Sequence, residues 1–432
     1  MRWVPLLGVL LLAAAVFAFR ASGTALLLDS DTIGILGGLE AKPNPWVWFT
    51  GDWPLGNHFY RPFPSLMFAL DQALHPGSNA GFGATNAILV SLCVALVYWV
   101  VWEVWQQAGW ALAGAALFAA WCLDFGFRIP STWLGAVSVA GLAFLGAKKR
   151  LTWTEVAGMS AGCALFWFEL AGQNPLYFRT LGWLPGRTAT VMTVFCLIAM
   201  AAYMRTLRTR SIWWTITCLL ATAGALMSYE QAVMLPVVLL FLGLWRHGEI
   251  PKGLFAGFVV EIAGYLALRA ALLPQTTSRY QNQQFRMGAG VWQSLAHSVG
   301  LPFTAGLRLY ANAGSSWEVL LLGSTYVELI WLVTPFVFWT WAWRAGHLRD
   351  VGLPLLAAAL AFAPMAFLKP FDHYYFWPMA VRVLFVLGLA RLIVQELGTR
   401  AGVTLQRMTP EPTRAKEAES RPNHAEPDPL RP

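Results

Sequence analysis

The chain has 432 residues, 57% of them hydrophobic and only 12% charged, with a mean hydropathy of +0.53. Soluble domains carry about a quarter charged residues, so an ordinary soluble protein is excluded, and apolar runs recurring from end to end give an all-α polytopic membrane protein. The net charge of +8 then reads as membrane orientation and not as nucleic-acid binding.

In chain order, MRWVPLLGVLLLAAAVFAFRASG has the charge and small residues of a signal peptide but is read as an uncleaved first span over 3–21. Further spans are predicted over 84–106, 108–124, 131–147, 154–172, 188–204, 211–229, 231–245, 253–273, 317–343, 352–368 and 375–397, about twelve crossings in all. With the N-terminus cytoplasmic, the inner loops KKR (148–150), RTLRTR (205–210), RHGEIPK (246–252) and RAGHLRD (344–350) are all basic, as the positive-inside rule requires. The tail over 398–432, rich in Pro, Glu, Arg and Ala, is expected to be a disordered cytosolic segment following a transmembrane module over 1–397. The 23 tryptophans suit an interfacial belt. The five cysteines fall in or beside apolar runs, with neither zinc spacing nor a disulfide framework.

The outer side receives the long loop 22–83 and the shorter ones 125–130, 173–187, 274–316 and 369–374. Within the first, YRPFPSLMFALDQALH (60–75) places Phe63, Leu66, Met67, Leu70 and Leu74 at helical spacing behind Pro62. It is too short to span and is placed along the interface. Segment 291–310 either lies in the interface or dips in and returns. The polar residues collect on this side: Asp29, Asp31, Asp52, His58, Tyr60 and Arg61 in the first loop, with Arg179, Arg187, Glu230, Lys369 and His373 in the others. A carboxylate there can take a proton from a hydroxyl, and arginines can hold a lipid-linked phosphate. Position alone fits equally well with loop acids that cap a helix. Glu261 lies inside a predicted span, with Arg269 as one candidate partner.

Four stretches carry a likeness. DSDT (29–32) follows the first span; FYRPFPSLMFALDQAL (59–74) leads into ATNAILV (84–90); GWLPGRTATVMTVFCL (182–197) and MSYEQAVMLPVVLL (227–240) follow, with FDHYYFWPMA (371–380) as a weaker fifth. In order and spacing these resemble the GT-C superfamily of membrane glycosyltransferases. The closest likeness is to the polyprenyl-phosphate-sugar-dependent branch that includes the protein O-mannosyltransferases and their TPR-bearing relatives. The likeness covers about residues 1–397. This sequence departs from the family at Ala189, where an Asp follows Gly-Arg-Thr, at Tyr229, often a Lys, and at His373, commonly an Arg; no TPR array follows the last predicted span.

The resemblance implies a transferase that moves a sugar from a polyprenyl-phosphate donor to an acceptor hydroxyl in one inverting step. Asp29 or Asp31 would be the base. Arg61, Tyr60, Arg187, Glu230, His373 and Lys369 would bind the donor's phosphate or sugar. No cofactor is required by this set; a divalent cation, Mg or Mn, held by Asp29, Asp31 and the donor phosphate is compatible with it, whereas the histidines lack the ligand spacing of a zinc site. The acceptor would be a glycan, lipid or protein, and the setting a bacterial inner membrane with the site periplasmic or extracellular and both termini cytoplasmic. A transporter or flippase of lipid-linked sugars is the competing reading. It expects mid-membrane charges and paired repeats, and the sequence shows no two-half symmetry.

Overall fold

A computed structural model describes residues 4–23, 25–124, 128–170, 176–248, 250–298, 325–369 and 371–400. The described chain is all helical apart from one isolated β-bridge, Phe285 to Leu368. In order the α-helices are α1 (Val4–Ala18), α2 (Ala25–Leu28), α3 (Ser30–Ala41), α4 (Pro62–Leu74), α5 (Asn79–Trp105), α6 (Ala108–Cys122), α7 (Arg128–Ala147) and α8 (Trp153–Leu170). There follow α9 (Leu176–Thr180), α10 (Arg187–Thr209), α11 (Ile212–Leu226), α12 (Leu235–Arg246), α13 (Lys252–Leu272), α14 (Arg279–Gln284) and α15 (Ala289–Ser298). The last are α16 (Thr325–Arg344), α17 (Leu348–Phe362) and α18 (Phe376–Arg400). Residues 1–393 form one compact unit; a second, 394–432, is described only to residue 400, where it is helical. The expected tail beyond residue 400, and 299–324, lie outside the described residues.

Among the described residues five helical stretches are long and apolar enough to cross a membrane: Asn79–Trp105, Leu184–Thr209, Lys252–Leu272, Leu348–Phe367 and Asp372–Thr399. Four shorter apolar helices accompany them, among them Val4–Ala18 and Ala108–Cys122. This is the helix inventory of a membrane protein. Small residues let the long helices pack closely. Gly114 of α6 faces Val101 of α5 and Val383 and Leu387 of α18; Gly158 of α8 faces Trp341 of α16.

Helix limits follow local chemistry. α5 begins five residues before its predicted start because the Ser78 side chain accepts from the Gly81 N–H and caps it. The predicted helix over 231–245 divides at Pro236: a 3-10 turn, Glu230–Met234, precedes α12, and the proline occupies the first turn, where its missing N–H costs nothing. The first loop holds an unpredicted helix, α3, whose N-cap is Asp29.

α4 has the expected limits with Pro62 at its start, but its apolar stripe is not the face it buries. Pro64, Ser65, Phe68 and Asp71 are buried, whereas Leu66 and Met67 are half-buried and Leu70 and Leu74 are exposed. The buried face combines Phe68, packed in an apolar cluster with Trp53 and Phe82, and Asp71 in its ion pair, which leaves Leu70 and Leu74 outward, the orientation of an interfacial helix. The suggested partnership of Glu261 with Arg269 is not formed. Glu261 Oε2 has no partner among the described residues, and Arg269 turns instead to the first loop, with Nη2 3.5 Å from the His58 carbonyl oxygen.

Candidate active site

One end of the helix bundle gathers the beginnings of α10, α12 and α18, the end of α11 and the first loop. Two ion-paired sites brace α10, one against α4 through Asp71 and one against α5 through Glu103. At this end Arg187 Nη2 lies 2.7 Å from Asp71 Oδ2; at the opposite end Glu103 receives Arg205 at 3.0 Å and Arg208 at 2.8 Å. A third, Glu169 with Arg382, joins α8 to α18.

The two first-loop acids do different work. Asp29 Oδ2 accepts from the backbone N–H groups of Asp31 and Thr32, each at 3.2 Å, from the Thr32 hydroxyl at 3.4 Å and from the Trp183 indole at 3.1 Å. It is the N-cap of α3, and the indole pins α3 to the turn that precedes α10. Asp31, in the first turn of the same helix, has no hydrogen-bond partner for its carboxylate among the described residues and is solvent-accessible. Partial loss of water lifts its carboxyl above the ordinary range, repulsion from Asp29 adds to this, and Arg179 partly offsets it.

Arg61 ends the extended stretch before α4. Its Nε and Nη2 reach Glu230 Oε2 at 3.1 and 2.7 Å. Its guanidinium lies 4.1 Å from the Phe59 ring centre, 4.3 Å from Tyr229 and 5.7 Å from Trp53. Burial pulls its proton affinity down, but Glu230 reverses this, and the guanidinium stays charged. Nη1 has no protein acceptor among the described residues, so one edge of the fork is open while the other is fixed.

Between Asp29 and Arg61 runs an aromatic wall. The Trp183 ring centre is 5.1 Å from His373, which is 4.5 Å from Tyr374 and 6.3 Å from Tyr229. Arg179 lies 4.7 Å over Trp183. Tyr280 of α14 closes the other side: its hydroxyl is held protonated by burial first, with Arg61 opposing and Asp31 adding, so it lies within electrostatic reach of both. His373 is buried, its Nε2 3.5 Å from the Tyr229 hydroxyl, and its Nδ1 has no partner among the described residues.

The other expected binding residues sit elsewhere. Tyr60 is buried, and its hydroxyl donates to the Phe49 carbonyl at 3.0 Å, an anchor for the first loop. Arg187 is wholly buried: besides Asp71, it donates to Asn86 Oδ1 at 2.8 Å and to the Phe82 carbonyl at 3.1 Å, and it stacks 4.5 Å over Phe68. Its Nε and Nη2 are committed to the joint between α4, α5 and α10, and its buried Nη1 has no hydrogen-bond partner among the described residues. Lys369 is exposed on a segment that pairs through its backbone with Gln284, beside the Phe285–Leu368 bridge. Sequence reasoning did not single out Trp183, Tyr280 or Asp71. The tryptophan stood in plain view beside the Gly-Arg-Thr segment, but one of 23 gives no signal of its own.

Among the described residues no three His, Cys, Asp or Glu side chains gather as a metal site. Asp29 Oδ2 is already filled by protein donors, so the Asp29–Asp31 pair is a poor cation clamp and no step below is routed through a metal.

The chain matches no family model, and neither curated proteins nor solved structures include a match to it.

Proposed function

We propose that the protein is a GT-C-type membrane glycosyltransferase that moves a sugar from a polyprenyl-phosphate donor to an acceptor hydroxyl, with Asp31 as the base. The observation that carries this reading is the division of labour between the paired acids. Asp29 is consumed by capping α3 and holding Trp183, which leaves Asp31 as the accessible carboxylate facing the charged and aromatic wall. A proton affinity raised by partial loss of water strengthens it as a base.

In the proposed step Asp31 takes the acceptor's hydroxyl proton. The acceptor oxygen bonds to the anomeric carbon from the face opposite the phosphate, and the carbon–phosphate-oxygen bond breaks. The electron pair leaves on the polyprenyl phosphate, where the open edge of Arg61 meets the growing charge. Glu230 and the Phe59–Tyr229 pair hold that guanidinium still, a fixed charge of the kind that costs no reorganisation in the transition state. Trp183, half-buried and backed by the buried His373 ring, offers an aromatic surface for the sugar. The exposed stripe of α4 offers the donor's chain an apolar surface.

The twelve-crossing arrangement belongs to the same proposal. α1, α5, α6, α7, α8, α10, α11, α12, α13, α16, α17 and α18 would alternate between the site end and an opposite end. Lys148, Lys149 and Arg150 would then lie at that opposite end, with Arg205, Arg208, Arg246 and Arg349, each at or next to a helix end. That basic end would be cytoplasmic, leaving the site outside.

The test is consumption of a radiolabelled polyprenyl-phosphate sugar, mannose or arabinose first, by the full chain in detergent. Turnover that falls about 10²–10⁴-fold in Asp31→Asn, with donor still bound, supports the reading. Donor binding without turnover in any variant, with cell-extract acceptors supplied, would move it to a transporter.

A further inference from the structure

A cavity of about 220 Å³ is lined by His58, Leu266, Arg269, Gln275, Thr277 and Gln281 among others. It is built where the first loop meets the loop that leaves α13. The two are fastened together: His58 Nδ1 is 2.9 Å from the Thr276 carbonyl oxygen, the Ser278 hydroxyl donates to the Asn57 carbonyl at 3.1 Å, and Gln281 Nε2 donates to the His58 carbonyl at 3.3 Å. His58 has a φ of 64°, a left-handed bend that a histidine accepts only when its surroundings hold it. The bend sets His58 in the cavity and its neighbour Phe59 under Arg61. Phe59 and Tyr280, chain neighbours of the lining residues His58 and Gln281, meet edge-on at 6.2 Å, and Tyr280 lies within electrostatic reach of Asp31 and Arg61.

The lining has a definite chemistry. Arg269 is its one permanent charge. Its guanidinium meets only neutral groups, the His58 carbonyl and the Tyr265 hydroxyl, and no carboxylate pairs with it among the described residues. The Thr276 and Thr277 hydroxyls and Gln275 Oε1 make no hydrogen bond among the described residues. The cavity is smaller than the roughly 300–1,000 Å³ of drug-sized pockets, room for one ring. An unpaired guanidinium beside neutral hydroxyl and amide groups is complementary to a hydroxyl-rich unit with one negative charge.

We infer that this cavity is the acceptor side of the site and receives a single sugar ring bearing a carboxylate or a phosphate. Arg269 holds the anion and the Thr276–Thr277 segment holds ring hydroxyls. The inference rests on the glycosyl-transfer reading above, since it is the acceptor that must approach Asp31 from outside the donor pocket.

The test is direct binding to the full chain in detergent, with methyl glucuronide, glucose 6-phosphate and methyl glucoside as probes. One anionic probe is expected to bind at least about tenfold more tightly than the neutral glucoside, and which one does so assigns carboxylate or phosphate. Arg269→Gln removes the preference. Thr277→Trp, at an exposed loop position, fills the mouth and removes binding of all three, and it carries the test if Arg269→Gln does not fold. Equal binding of neutral and anionic probes, no binding, or a preference that survives Arg269→Gln would overturn the inference. Asp31-dependent donor turnover without any anion preference would discard this subsite and leave the transferase intact. Arg269-dependent binding with no donor turnover would do the reverse.

Discussion

Asp29 and Asp31 are two positions apart, chemically identical, and separated in role by one turn of backbone. Replacing Asp29 by Ala removes the N-cap and the indole contact, and a loss of about 0.5–2 kcal/mol in stability is expected from thermal melting. Asp29→Asn keeps the cap and removes the charge. Because Asp29 raises the Asp31 carboxyl, this variant should shift the acid limb of the pH–rate profile downward. Arg179→Gln removes an opposing influence and should shift it upward. A profile indifferent to both would place the base elsewhere. The sign for stability is the opposite of a salt-bridged acid: a carboxyl raised by folding is held more tightly by protons in the native state, so ionising it costs stability above its unfolded value. Asp31→Asn is therefore expected to melt at a higher temperature at neutral pH while losing turnover. At this scale the sequence singled out the two acids but not how they differ. The difference depends on Trp183, which lies 154 positions from Asp29 and arrives only through the fold. Tyr60 and Arg187 mislead for a related reason. Aromatic and cationic residues that look ready for a ligand are equally suited to anchoring a loop and bracing a buried joint.

At the scale of elements, the site is as good as the segments that carry it. Residues 176–187 hold Arg179, Trp183 and Arg187 in a compact reversal, and a Cβ built on Gly186 would fall on the Arg179 carbonyl oxygen. Gly186→Ala is expected to cost about 1–3 kcal/mol and to lower turnover, because it moves both Arg179 and Trp183. The joint of α4, α5 and α10 is more demanding. Asp71→Ala leaves Arg187 charged and wholly buried, and a loss of about 3–5 kcal/mol is expected, read from unfolding in detergent. A loss below about 1 kcal/mol would mean the pair is solvated in the membrane-embedded protein. Periodicity located the long helices well, since apolar length is a strong signal. It located α3 not at all, because Gly34, Gly37 and Gly38 break any stripe and the helix is fixed by its cap instead. It found α4 but chose the wrong face: the helix buries Phe68 in the first-loop apolar cluster and Asp71 in its ion pair with Arg187, and leaves Leu70 and Leu74 outward.

The whole molecule has the helix inventory of a membrane protein, and the proposed arrangement puts its polar chemistry at one end of the helices and its basic loops at the other. Its five cysteines are all buried, which gives a silent background for mapping sides. A cysteine introduced at Thr277 is expected to react with a membrane-impermeant maleimide on intact cells, and one introduced at Lys149 only after permeabilisation. The reverse pattern would put the site in the cytoplasm and remove a flipped lipid-linked donor from consideration. The measurement that bears most directly on function is donor turnover by the purified chain, compared across wild type, Asp31→Asn and Asp29→Asn at equal folded concentration. Loss of turnover in Asp31→Asn with donor affinity kept, and a milder loss in Asp29→Asn, is the expected result. Full turnover in Asp31→Asn would contradict the assignment of Asp31 as the base, and with it the mechanism built on that residue.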